Sequence, residues 1–184
     1  RRYVYFVFLL CCAVNLLLTS CVRQKYVVMD MVHHNPGEAM TESKFLDPSF
    51  LKKNEYGAKV FFLFEAAQFG IDWKSFDPSL FPDTTEAGRW VAEKAEIIHK
   101  KYDAAKKEDL QVYCMLDMLV LPSLLVEKHR TELTNEQGKL DISKPYTQLC
   151  IRELMKEMFE TFPQLDGLVI RTGETYLHDA PYYV

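Results

Sequence analysis

The sequence predicts a parallel α/β fold: the first four strands of a TIM-type (β/α)8 barrel, truncated at residue 184. Three observations lead there. Apolar, β-branched runs alternate with amphipathic stretches in the order strand, helix, strand, helix, which builds a parallel sheet. Every predicted strand ends in a group of polar side chains, and a barrel gathers its chemistry at the C-terminal ends of its strands. The fingerprints of other parallel folds are missing: no GxGxxG follows the first strand and no Walker A motif occurs. A doubly wound sheet is the alternative.

The elements follow in order. Lys25–Val32 is a nearly continuous apolar run, as in a buried strand, and Asn35-Pro36-Gly37 ends it. Asp47-Pro48 opens a short helix, with Asp as N-cap and Pro at its first position, and Gly57 is expected to stop it. Lys59–Glu65 is the second strand, followed by a long loop broken by Asp77-Pro78 and Phe81-Pro82. Asp83-Thr-Thr-Glu86 has the form of a capping box. The helix it starts runs to about Lys107, with Trp90, Val91, Ala95, Ile98, Tyr102 and Ala105 recurring at three and four. Leu110–Asp117 is the third strand, and residues 123–142 are loop-like with a helical turn near Leu124–Lys128. Ser143–Phe162 is a helix whose inner face carries Leu149, Ile151, Leu154, Met155, Met158, Phe159 and Phe162. Asp166–Arg171 is the fourth strand.

Residues 1–20 read as an address. Arg1-Arg2 precede a short apolar run, too short for a comfortable membrane span. Leu18-Thr19-Ser20-Cys21 closes it. This resembles a bacterial lipoprotein signal, in which an aliphatic residue and two small residues precede the cysteine that receives the lipid. The resemblance implies lipidation at Cys21, attachment to a membrane through that anchor, and a place in the cell envelope. Val22 after the cysteine implies the outer membrane rather than retention. Residues 21–184 are then the N-terminal half of the barrel domain. Removing residues 1–20 takes away two arginines and no acid, so the formal net charge moves from −4 to −6.

Composition excludes several classes. Twelve Phe and ten Tyr are too many for a disordered chain. Acids (26) outnumber bases (22) with no Lys/Arg block, so no nucleic-acid partner is expected. Five Cys, three of them in the signal, make no disulfide scaffold and no CxxC metal spacing. A Cys114–Cys150 disulfide suits an oxidising compartment. A strand position for one and a helix face for the other favour two buried thiols.

The first strand end offers Asp30, His33, His34 and Asn35; the second Glu65, Gln68, Asp72 and Trp73; the third Asp117; the fourth Arg171, Glu174, Tyr176, His178 and Asp179. The stretch Phe162-Pro-Gln-Leu-Asp-Gly-Leu-Val-Ile-Arg-Thr-Gly-Glu-Thr-Tyr176 resembles barrel glycoside hydrolases, including the broad α-glucuronidase-like group. Met29–Glu38 and Phe62–Trp73 look like the first two strand ends of a bacterial branch of such proteins. That resemblance implies a carbohydrate substrate, no cofactor, no metal, and Glu174 as general acid. Hydrolysis needs two carboxyls, about 5–5.5 Å apart for retention and about 6.5–9.5 Å for inversion. Glu65 and Asp117 are the candidates here for the second, and the resemblance implies that it comes from a later strand. Asp30, His33, His34, Asn35, Gln68, Arg171, His178 and Asp179 are candidate substrate ligands. Trp73 and Tyr176 are candidate sugar platforms, and Arg171 is a candidate partner for a uronate carboxylate.

Two other readings stand beside this one. A metal-dependent barrel hydrolase would use Asp30, His33 and His178. A non-catalytic carbohydrate-binding lipoprotein would use the same strand ends without turnover. A full barrel takes roughly 250 residues and eight strands. A half barrel leaves open sheet edges, so residues 21–184 alone are expected to be poorly soluble.

Overall fold

A computed structural model describes residues 29–30, 44–62, 65–172, 177 and 180–184. The chain is a mixed α/β fold built on a parallel sheet. Its elements are β1 (Met29–Asp30), α1 (Pro48–Lys53), β2 (Ala58–Phe62), α2 (Glu86–Lys107), β3 (Gln111–Asp117), α3 (Ser123–Lys128), α4 (Arg130–Leu133), α5 (Pro145–Thr161) and β4 (Gly167–Arg171). The strand order is β1-β2-β3-β4. All pairings are parallel, from Ala58 opposite Gln111 to Phe62 opposite Met115, and from Tyr113 opposite Gly167 to Asp117 opposite Arg171. Three strands are full length and β1 adds two residues at one edge. β1 and β4 lie at opposite ends of this order, so the described strands form an open sheet and no closed barrel is seen among them.

Strand alternation sorts the side chains into two faces. Phe61, Val112, Cys114, Leu116 and Leu168 share the face that packs on the helices, with Val91, Ile98, Tyr102, Leu154, Met158 and Phe162 opposite them. Phe62, Met115, Asp117, Val169 and Arg171 share the other face. Burying each large apolar side chain contributes about 1.5–3 kcal/mol, so the helix-covered face supplies most of the stability.

The helix boundaries have local causes. Asp47 caps α1 by accepting from Ser49 N at 2.9 Å, with Pro48 in the first position. The helix ends at Lys53 rather than at Gly57, because Glu55 takes the left-handed position (φ 65°). There Tyr56 N bonds Leu51 O and Glu55 N bonds Lys52 O, a Schellman closure. α2 closes in the same way on Asp109 (φ 54°), and Lys52 Nζ ties the two ends together by bonding Asp109 Oδ2 at 2.9 Å. α2 begins at Glu86 under Thr85, not under Asp83: Thr85 Oγ1 accepts from Gly88 N at 3.0 Å, while Asp83 binds Lys74. α5 begins at Pro145 rather than Ser143, because Asp141 holds Ser143 in an Asx turn. α4 is a helical turn inside the segment expected to be loop.

The largest departure from expectation lies after β2. The segment expected to be a long loop is buried from Ala66 to Ile71, partly as a 3-10 turn at Ala67–Gly70. It wedges between α2 and α5. A Cβ on Gly70 would stand 2.7 Å from the Phe162 ring and 3.0 Å from Ala95 Cα, so only glycine admits this approach. Phe159, expected on the inner face of α5, is 41% exposed. Met158 lies on that face as expected, and Glu157 joins it.

Gly88 marks a second close approach, since a Cβ there would meet Pro82 O at 2.1 Å. Gly88→Ala gains about 1 kcal/mol of helix propensity but forces backbone apart, which costs about 1–3 kcal/mol. The variant is expected to melt lower than wild type, by about 2–4 °C per net kcal/mol. An equal or higher melting temperature would show that the α2 entry relaxes without strain.

Candidate functional site at the strand ends

β3 and β4 end in register on Asp117 and Arg171, and both side chains lie on the face away from the helices. They form a bidentate ion pair: Arg171 Nε donates to Asp117 Oδ1 at 2.6 Å and Nη2 donates to Oδ2 at 2.8 Å. Asp117 is 5% exposed at its side chain and Arg171 21%. The guanidinium also lies over the ring of Phe62, 5.8 Å from its centroid. Three adjacent strand ends therefore meet in one polar cluster with an aromatic floor.

Glu65 does not join this cluster. Glu65 sits in a 3-10 conformation on the helix side, away from Asp117 and Arg171. Its carboxylate pairs with Lys101 of α2, and its carbonyl accepts from Tyr102 Oη at 2.9 Å. Glu65 and Asp117, the two candidates for the second carboxyl, therefore stand apart. Each is committed to a different cation on a different side of the sheet. Gln68 and Trp73 also lie away from the cluster. Gln68 is 3% exposed and Trp73 0%; both belong to the wedge, so neither presents a surface to a sugar. Trp73 holds a left-handed backbone (φ 58°), costly for a bulky residue and maintained by complete burial of its ring.

Asp166, at the start of the stretch that resembles barrel hydrolases, lies at the far end of β4 from Arg171. It brackets β3: its N donates to Val112 O at 2.8 Å, and its Oδ2 accepts from Val112 N at 2.7 Å and from Lys106. Gly167 beside it makes room for the Tyr113 ring, which a Cβ would meet at 2.7 Å. This Asp-Gly pair sets strand register.

Asp30 pairs through its backbone with Lys59; its side chain lies outside the described structure. Cys21, His33, His34, Asn35, Glu174, Tyr176, His178 and Asp179 also lie outside the described residues. Among the described residues no group of three or more His, Cys, Asp or Glu side chains is placed to hold a metal. Cys114 and Cys150 are free and buried, and burial pushes each thiol up to about 11. They are packing groups rather than nucleophiles.

Sequence reasoning missed three buried polar residues. Lys59 is buried on the helix side of β2, donating to Phe45 O at 2.9 Å; a lysine inside an apolar run was its signal. Tyr183 is buried against Phe69, Phe81 and Trp90 and donates to Gln68 O at 3.2 Å. It anchors residues 180–184, which cross the β3–α3 loop through paired bonds between Leu121 and Val184, each 3.0 Å. No short-range pattern announces that strap. Glu157 interrupts the apolar face of α5 and accepts from Ser75 Oγ at 2.5 Å. Burial raises its carboxyl above the usual 4.5 and Asp72 adds to the rise, while Ser75 and the Trp73 backbone pull the other way.

Comparison with protein-family models, with curated proteins and with solved structures finds no match to this chain in any of the three. Among the described residues no helix is long and apolar enough to cross a membrane.

The raised Glu157 carboxyl makes a pH prediction. The folded state favours its neutral form, so its contribution is fully present below the usual value and is lost as pH rises through the raised one. Glu157→Gln keeps an acceptor for Ser75 and removes the buried charge. The variant is expected to melt above wild type at pH 7–8, with the gap closing near pH 4. Thermal melts across that range check it, and a destabilised variant at pH 7 would reverse the assignment.

Proposed function

We propose that this chain is the N-terminal half of a lipid-anchored (β/α)8-barrel glycoside hydrolase of the bacterial cell envelope. The observation that carries the reading is the Asp117–Arg171 pair, fixed at the C-terminal ends of adjacent parallel strands on the face away from the helices. That is the position where barrels place substrate-binding and catalytic groups. The consecutive strand order supports a barrel, since a doubly wound sheet reverses its order at a switch point. In this reading Asp117 and Arg171 position the sugar, Glu174 donates the proton to the leaving group, and a later strand supplies the second carboxyl. Cys21 carries the lipid.

The pinning of both Glu65 and Asp117 by cations favours one alternative, a glycan-binding lipoprotein without turnover. Reducing-end release by the full-length protein on a panel of polysaccharides separates the two. The hydrolase reading expects turnover that falls about 10²–10⁴-fold in Glu174→Gln. Turnover unchanged in that variant removes Glu174 from the mechanism. Glycan binding without any turnover moves the protein to the binding class.

A further inference from the structure

Weak attachments gather where the wedge leaves the core. Trp73 holds a left-handed backbone (φ 58°), which a bulky residue adopts only under constraint. The side-chain hydrogen bond from the residues after it to α5 is made by Ser75, whose Oγ donates to Glu157 Oε1 at 2.5 Å. Glu157 is 5% exposed, and among the described residues no cation forms an ion pair with it. A buried carboxylate without a cation is costly in its charged form. The charges around it are committed elsewhere. On α5 itself, Lys156 pairs with Glu153 at 3.3 Å and is shared with Glu160. From the facing segment Asp72 repels Glu157, while Lys74 is held between Asp72 and Asp83, 3.0 Å from each. Ser75 and the Trp73 backbone favour the charged carboxylate, but burial outweighs them and raises it.

We propose that Glu157 and Ser75 form a proton-controlled latch: with Glu157 neutral, residues 72–77 stay seated on α5, and with Glu157 ionised they open locally while the sheet and the long helices stay folded. Opening lets water reach the carboxylate and lets Trp73 leave its left-handed conformation. Burial of the Trp73 ring opposes both gains, and the proton on Glu157 tips the balance. Closure favours the neutral form, so it is strongest below the usual carboxyl value and weakens as pH rises through the raised one. The latch does not depend on the glycan reading. It differs from a general loss of stability because one segment moves alone.

Amide hydrogen exchange of the full chain tests it, followed between about pH 4.5 and 8 and corrected for the intrinsic pH dependence of exchange. The reporters are the amides of Phe76 and Asp77, both bonded to Trp73 O. Amides within β3 and α2 are the reference. The reporters are expected to open about threefold or more as pH rises across that range, while the reference stays flat. Glu157→Gln keeps an acceptor for Ser75 without the charge, and should hold the reporters at their acid-end protection throughout. Asp72→Asn removes the facing like charge and should shrink the rise. Reporter protection that does not change with pH in the wild type overturns the latch. A rise that persists in Glu157→Gln overturns it, as does one that β3 and α2 share equally. Where Glu157→Gln does not fold, a rise left undiminished by Asp72→Asn overturns it instead.

Discussion

The segment from Ala66 to Ile71 is buried between α2 and α5, and its polar groups have to find partners without water. A buried peptide group left unpaired costs as much as a lost hydrogen bond or more. The partners come from all around the domain. Tyr102 of α2 serves Glu65 O, Cys114 Sγ of β3 serves Ala67 N, and Tyr183 serves Gln68 O. Phe76 N and Asp77 N both close on Trp73 O. Small residues make the insertion possible, with Ala66, Ala67 and Gly70 letting main chain approach helix. The wedge therefore ties the sheet, two helices and residues 180–184 into one packed unit.

That constraint also shapes the polar strand-end cluster. Because Glu65 is held against α2 and Gln68 and Trp73 are buried in the wedge, none of the three joins the opposite face. What remains at the described strand ends is the Asp117–Arg171 pair over Phe62. The two sides of the sheet thus carry different kinds of polar group. On the helix side Glu65–Lys101 and Lys59 hold structure together. On the other side the charges gather at the strand ends, where a barrel binds its ligands.

The polar residues that build the outer layer follow a similar division. Asp77 accepts from Ser79 and from Lys128 of α3, which together hold its carboxyl down at about 2. Glu157 is raised instead, although it too accepts from a serine, because burial outweighs that bond. The serine partner of Asp77 is a chain neighbour, whereas that of Glu157 lies 82 residues away. Their opposite behaviour comes from depth: Asp77 keeps contact with solvent and a cation, whereas Glu157 lies under the loop that it fastens.

Periodicity and capping chemistry were enough to place the helices and strands over the described residues to within a few positions. Period-two and period-3.6 patterns, Asp-Pro starts and Asx turns are properties of neighbouring residues. The α/β class and the end-of-strand location of Asp117 and Arg171 followed from the same signals. The partnership between those two residues did not, because strand register pairs groups far apart in sequence. Nor did the burial of Trp73 and Gln68, whose segment is rich in breakers and reads as surface loop. The wedge, the Tyr183 strap and the Asp117–Arg171 pairing were decided only by tertiary structure, where long-range packing and the need to satisfy buried polar groups override local preference.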